Sequence, residues 1–394
     1  MNKIGIIALV CALALGQIAR VQVGSVAVTA LDIIVGIISI VVLGKYLRDN
    51  KQFRGGALVK CIALFFLSGL IGLLLFSLNL SSYELGVSLL YAVRIVVYLG
   101  LYFWVKDLAN QERKIGINSI TWAGVFMLVV GFIQFFYYPN LRNLYYLGWD
   151  DHLYRLFSVF LDPNFAGAFF TLYVLFIVDL FRSSKESLMR TFYGCIVAAG
   201  VIAIFLTHSR TGLIMLLVGV VIYFLLYVSK KVAIVAITGF LLLLIFTSNT
   251  NIEGLNPLRS ASSNARVESA QNAVKIIQNY PIFGVGFNSY RYAQIKMGFR
   301  QETSRHINHA DAGTDNSYLF ILATTGIAGG IFFTLFLFRI FQYARIDAQK
   351  GNFPARGYLV SLVVVMVGSL FLNIIFYPMI LVWLVVQAGL IRSK

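Results

Sequence analysis

Charge is scarce in this chain. Only 12% of its 394 residues are Asp, Glu, Lys or Arg, against 59% hydrophobic. The apolar residues gather in blocks of about 20, the length that crosses a bilayer. Alternating short segments are missing, which excludes a membrane β-barrel. Cysteine is scarce too: Cys11, Cys61 and Cys195 lie in three separate apolar blocks, so neither a disulfide framework nor a zinc site is indicated. No internal repeat, low-complexity tract or separate soluble domain interrupts the pattern. The expectation is an all-α polytopic membrane protein, a single integral membrane domain over residues 1–394.

What is present is a series of apolar blocks between polar breaks. Twelve spans are expected near residues 4–19, 24–43, 58–78, 85–105, 118–138, 160–181, 192–207, 211–229, 232–247, 317–338, 358–376 and 379–391. The first has the short apolar core of a signal peptide, but the alternation of loops closes only if it is counted as a helix. The basic stretches Lys45–Lys60, Lys106–Lys114, Arg182–Arg190, Lys230–Lys231, Arg339–Arg356 and Arg392–Lys394 then share one side. The positive-inside rule makes that side cytoplasmic, with both termini in it. The net charge of +16 is accounted for by this bias and calls for no nucleic acid.

Of 32 basic residues, 20 lie on the cytoplasmic side and 12 lie outside or within spans, and ten of those 12 are Arg. A guanidinium fork binds phosphate oxygens in pairs, whereas Lys acts as a point charge. The bias points to a phosphorylated ligand on the outer face; the plainer alternative is arginines that anchor loops. Two outer loops are long, residues 139–160 and 248–316, and the second holds seven of the 12. Long structured loops in compact membrane proteins are usually functional.

Within the second loop, Asn264–Asn279 places Val267, Ala270, Val274 and Ile277 on one helical face, as in an amphipathic helix on the outer membrane surface. Asn264 as N-cap would put Arg266 in the first turn, where a bound anion would relieve the conflict with the helix dipole. Gly284 and Gly286 are a weak phosphate-loop signal and are better explained by a tight turn. Arg210, in "THSRTG", is held at the membrane surface by a short hairpin. Arg94 sits mid-span and needs a partner or a watery cavity. "DPNFAG", Asp162–Gly167, is explained by an Asp cap followed by Pro. The tyrosines around Trp149 serve either sugar stacking or an interfacial belt. His306, His309 and Asp311 hint at a metal, but no second cluster completes a site. Asp315, in "TDNSYLFIL", can be the N-cap of the following span, with Thr314 and Asn316 sharing that work, or a base facing an Arg-rich loop.

In order, "DPNFAG", "THSRTG", the Arg266 helix with "YPIFGVGFNSY", and "TDNSYLFILATTGIAGG" resemble the O-antigen polymerase and ligase superfamily, the Wzy and WaaL type membrane glycosyltransferases, over roughly residues 155–335. The resemblance implies a metal-independent enzyme without cofactor in the bacterial inner membrane, with its active site on the periplasmic face. Its substrate would be an oligosaccharide on undecaprenyl pyrophosphate, with membrane lipids and a chain-length regulator as further partners. It implies pyrophosphate binding by Arg210 and Arg266, with Arg94 and Arg291 as further candidates, and catalysis by Asp315 with Asn316 as its orienting neighbour. Arg155, His309 and Tyr318 are additional candidates. Ligases of the family carry His-Asn where this chain has Asp315-Asn316, which points toward the repeat-unit polymerases. A ligase acting on lipid A core or protein is the alternative. A lipid-linked oligosaccharide flippase is a reading from another class, disfavoured because the polar residues crowd an outer loop rather than the midplane.

Overall fold

The structure, a computed structural model, describes residues 2–23, 26–49, 56–147, 149–231, 234, 237–239, 260–300, 312–350 and 355–391. Among the described residues, eight helices are long and apolar enough to cross a membrane: α2 (Ala30–Arg48), α3 (Gly56–Phe76), α4 (Ser82–Lys106), α5 (Asn110–Tyr137), α6 (Pro163–Ser183), α7 (Ser187–Leu206), α8 (Arg210–Tyr227) and α11 (Ser317–Gln349). Three shorter apolar helices join them, α1 (Asn2–Leu15), α12 (Ala355–Gly368) and α13 (Pro378–Ile391). Two more helices, α9 (Ser260–Asn279) and α10 (Tyr290–Lys296), lie between α8 and α11. Eleven of the expected spans are thus helical; the span 232–247 falls almost wholly outside the described residues.

Helix α6 occupies the centre. Its middle, from Ala166 to Ile177, is continuously buried, as expected of a helix apolar all round and enclosed by others. Asp162 caps it by accepting from the Asn164 and Phe165 amides, with Pro163 following, so the capping explanation of "DPNFAG" holds.

Three boundaries differ from expectation. Residues 20–29 form an antiparallel hairpin, β1 (Arg20–Val23) paired with β2 (Val26–Thr29), and α2 therefore starts at Ala30 rather than near 24. Val21, Val23, Val26 and Val28 supply the β-branched residues, and Thr29 ends the hairpin by capping α2 in a box with Asp32. Helix α11 runs on to Gln349, and α12 stops at Gly368, leaving residues 369–377 as a turn-rich connection.

The decisive irregularity is in α11, where Gly326 has φ 65° and ψ −170° and breaks the helix. In an unbroken helix, Ile327 and Ala328 would donate to Ala323 and Thr324. Instead their amides donate to the Pro281 and Ile282 carbonyls at 2.8 and 3.1 Å. The freed Ala323 and Thr324 carbonyls accept from Val285 and Gly286 at 3.0 and 2.8 Å. All four backbone groups are satisfied again, which an apolar surrounding requires. The segment after α9 is thereby locked into α11. Gly286 is fitted for this by a φ of 90° and by Leu73 of α3, whose Cα would lie 2.5 Å from an added Cβ. The tight-turn explanation of these glycines becomes one of backbone docking between helices.

Replacing Gly286 by Ala should destabilise the protein by about 3 kcal/mol or more, since it adds a clash to an unfavourable φ. Gly298 has a φ of 73° with open space around it, so its replacement by Ala should cost only about 1–2 kcal/mol. Unfolding of both variants in detergent, followed by circular dichroism, measures the difference; equal losses would contradict the docking argument.

Candidate active site

The connections expected on the outer side enclose a cavity of about 1070 Å³. Its wall draws on the β1 hairpin, α4, the α5–α6 loop, the α7–α8 turn, α9, the segment before α11 and the α12–α13 connection. The size suits a ligand larger than a monosaccharide. Four arginines line it, Arg20, Arg94, Arg155 and Arg266, and so do four aspartates, Asp150, Asp151, Asp162 and Asp315. Over the described lining the formal charges therefore cancel, so positive charge can favour an anion only where it is sorted in space.

Asp315 and Arg266 form one group. Arg266 Nε stands 3.9 Å from Asp315 Oδ2, and Ser269, one turn further along α9, donates to Thr314 at 3.0 Å. Burial against the cavity wall pushes the Asp315 carboxyl above the usual range, Arg266 pulls it back, and the charge of Asp162 adds to the rise. The outcome is a carboxylate more basic than an ordinary Asp.

Asp315 is not the helix cap. Asn316 holds that position in α11, its Oδ1 accepting from the Tyr318 and Leu319 amides at 2.9 and 3.0 Å and its Nδ2 donating to the Leu370 carbonyl at 3.1 Å. The amide of Asn316 is thus engaged in anchoring α11 rather than in orienting Asp315. Capping by the neighbour leaves the carboxylate of Asp315 available for other chemistry.

Helix α9 also departs from expectation. It begins at Ser260, so Asn264 is not its cap and Arg266 lies in the second turn, where the dipole argument for a bound anion lapses. Its packed side is Ala273 and Ile276, with Arg266 and Ser269 on the same strip, while Val267 and Val274 are exposed. The helix is fastened to the bundle, and only part of its expected apolar stripe is left for lipid.

Arg94 has both things expected of it, a partner and a cavity. It makes a two-point contact with Asp32, Nε–Oδ1 at 2.6 Å and Nη2–Oδ2 at 2.9 Å, and Tyr98 donates to the same carboxylate at 2.5 Å. Arg155 stitches the α5–α6 loop to the α7–α8 turn, donating to the carbonyls of Thr207 and His208 and to Asn164 Oδ1. Asn164 also accepts from Ser209, so "DPNFAG" and "THSRTG" meet here. Arg210, Arg291 and Tyr318 are not among the described lining residues; Tyr318 donates to the Met366 carbonyl on another face of α11. From the "THSRTG" hairpin it is His208, with a φ of 48°, that reaches the wall. Burial and the charge of Arg155 push the pKa of its imidazole down. His309, with His306 and Asp311, lies outside the described residues.

Residues 195–334 match the family model described as O-antigen ligase, Wzy_C. The match covers less than half of the chain and supports the resemblance of this segment to the O-antigen polymerase and ligase superfamily. The eight long apolar helices and this family together make the chain a multi-pass bacterial membrane protein. Comparison with curated proteins gave no match. The superfamily segment contributes His208, Arg266 and Asp315 to the cavity, while Arg20, Arg94, Arg155 and Asp162 come from the chain before it. Arg20, His208, Asn164, Asn373 and Tyr377 had no assigned role in the sequence. His208 stood in a quoted motif, and Arg20 was legible only as an isolated charge between two apolar blocks.

The division of labour at "DN" has a measurable consequence. Asn316→Ala removes a cap and should cost about 1 kcal/mol or more of stability, whereas Asp315→Asn should change stability by less than about 0.5 kcal/mol. Denaturation of the two variants side by side checks this, and the reverse ranking would restore the cap to Asp315.

Proposed function

We propose that this cavity transfers a glycan from a lipid-linked pyrophosphate to a sugar hydroxyl, and that the protein polymerises undecaprenyl pyrophosphate-linked repeat units into O-antigen, capsule or exopolysaccharide. The observation that carries the reading is the Asp315 carboxylate, relieved of capping by Asn316, made more basic by burial and set beside Arg266 on the cavity wall. The bond between the anomeric carbon and the pyrophosphate oxygen breaks, and the electron pair leaves with the pyrophosphate. The acceptor oxygen forms the new bond and its proton passes to Asp315. The transition state has oxocarbenium character, so this proton leaves late and a carboxylate suffices as base. Guanidinium groups in the cavity offset the charge that builds on the leaving oxygens. Of the arginines expected in this role, Arg266 and Arg94 line the described cavity.

Orientation supports a periplasmic site. The cavity is built from the helix ends opposite the basic connections near Lys106, Arg182 and Lys230, which the positive-inside rule assigns to the cytoplasm. A second reading, ligation of finished glycan to lipid A core or protein, is favoured by the description of the matching family model as O-antigen ligase. The Asp at 315, where ligases of the family carry His, favours polymerisation.

Purified protein given lipid-linked repeat units and no other acceptor should produce a ladder of lengths, and Asp315→Asn should lower its rate by about 10²–10⁴-fold. Reaction only after lipid A core is added would shift the reading to ligation. Translocation of the lipid-linked unit across vesicles without new glycosidic bonds would overturn glycan transfer altogether.

A further inference from the structure

The N-terminal hairpin brings Arg20 into the cavity from outside the superfamily segment. Among the described residues its guanidinium donates to Gln22 Oε1 at 3.2 Å and lies 5.5 Å from the centre of the Trp149 ring, and no carboxylate pairs with it. The other cavity arginines are more heavily engaged: Arg94 with Asp32, Arg266 with Asp315, Arg155 with two carbonyls and an amide oxygen. Arg20 therefore retains most of its five donors. The Tyr91 phenol and the Arg94 guanidinium offer further donors close enough for their charges to act on it, while the Tyr377 hydroxyl donates to the Phe160 carbonyl. Asp32 pairs with Arg94, while no carboxylate among the described residues pairs with Arg20, so this end of the cavity carries local positive charge although the lining as a whole is balanced. Such a donor-rich, partly buried pair is suited to a phosphoryl anion, whose oxygens accept several N–H and O–H bonds at once.

We propose that Arg20, together with Arg94, forms an anion site that holds the pyrophosphate of the donor. The anion site stands on this geometry; its identification with the carrier pyrophosphate rests on the proposed glycan transfer. The two groups of charges then divide the work. Tyr377 lies within the field of Arg20, Arg94 and Asp162, and Asp162 in turn acts on Asp315. Direct displacement requires the leaving group and the incoming hydroxyl on opposite faces of the anomeric carbon, and the proposed site meets this with an anchor at Arg20 and a base at Asp315, both on the cavity wall. Arg266, in contact with Asp315, becomes chiefly its electrostatic partner.

The test is titration of the detergent-solubilised full chain with inorganic pyrophosphate, followed by calorimetry, together with donor and acceptor KM in the transfer assay. Arg20→Ala should weaken pyrophosphate binding by about tenfold or more, and Arg20→Lys, which keeps the charge but loses the fork, by a smaller factor. Arg339→Ala should leave it unchanged, because Arg339 is exposed, pairs with Gln342 one turn along α11 and is not among the lining residues. In the assay, Arg20→Ala should raise donor KM and spare acceptor KM. Wild-type binding that does not saturate, or equal affinity in wild type and Arg20→Lys should the Ala variant fail to fold, would overturn the site. Loss of pyrophosphate binding in Arg20→Ala from a wild type that makes no glycosidic bond would uphold the anion site and sink the transfer reading. Active transfer with donor KM unchanged in Arg20→Ala would do the reverse.

Discussion

The break in α11 at Gly326 is the constraint from which the site follows. A helix interrupted in an apolar surrounding leaves two amides and two carbonyls to be satisfied, and the segment from Pro281 to Gly286 satisfies all four. That segment is the direct continuation of α9. Locking it into α11 therefore fixes α9 against the start of α11, which places Arg266 beside Asp315 and Ser269 beside Thr314. A loop that had only to cover the membrane surface would hold neither pair in register.

The cavity gains its chemical character from how charges are separated rather than from an excess of one sign. Aspartates come from the connections at 150, 151, 162 and 315, and the least engaged arginine comes from the N-terminal hairpin. Much of the polar lining serves to hold the wall in shape: Asp162 caps α6, Arg155 fastens two loops and Asn316 caps α11. Of the six non-glycine residues with positive φ among the described residues, His152, Tyr154, His208 and Asn288 also line this cavity. Such conformations gather at functional sites because the surrounding fold must hold them there.

The helical, polytopic nature of the chain was legible because block length and loop charge report directly on a bilayer. Eleven of the expected spans are helical, and eight of the described helices are long and apolar enough to cross a membrane. The hairpin at 20–29 was missed because its β-branched residues read as the start of an apolar span, and the strands are only four residues each. Asp162 as cap was legible from Asp-Pro spacing, yet Asp315 and Asn316 could not be told apart as caps, since both residue types serve and the choice depends on one residue of register. The Arg94–Asp32 and Arg266–Asp315 pairs join residues far apart in sequence, so the need for a partner was visible and its identity was not. Arg210 stood out by motif, but a helix start sets its direction, and His208 took the place at the wall.

In the proposed transfer Asp315 is the base, and its affinity for protons is raised by burial and Asp162 and restrained by Arg266. The most direct measurement is the pH dependence of kcat/KM for transfer. The deprotonated carboxylate is the working form, so the rate should fall as pH drops through a pKa above the ordinary Asp range. Replacing Arg266 by Gln removes the charge that restrains the proton, so in whatever activity remains the acid limb should move to higher pH. In Asp315→Asn the limb should vanish from the residual rate. A limb that persists unchanged in Asp315→Asn, or that stays in place in Arg266→Gln, would contradict the assignment.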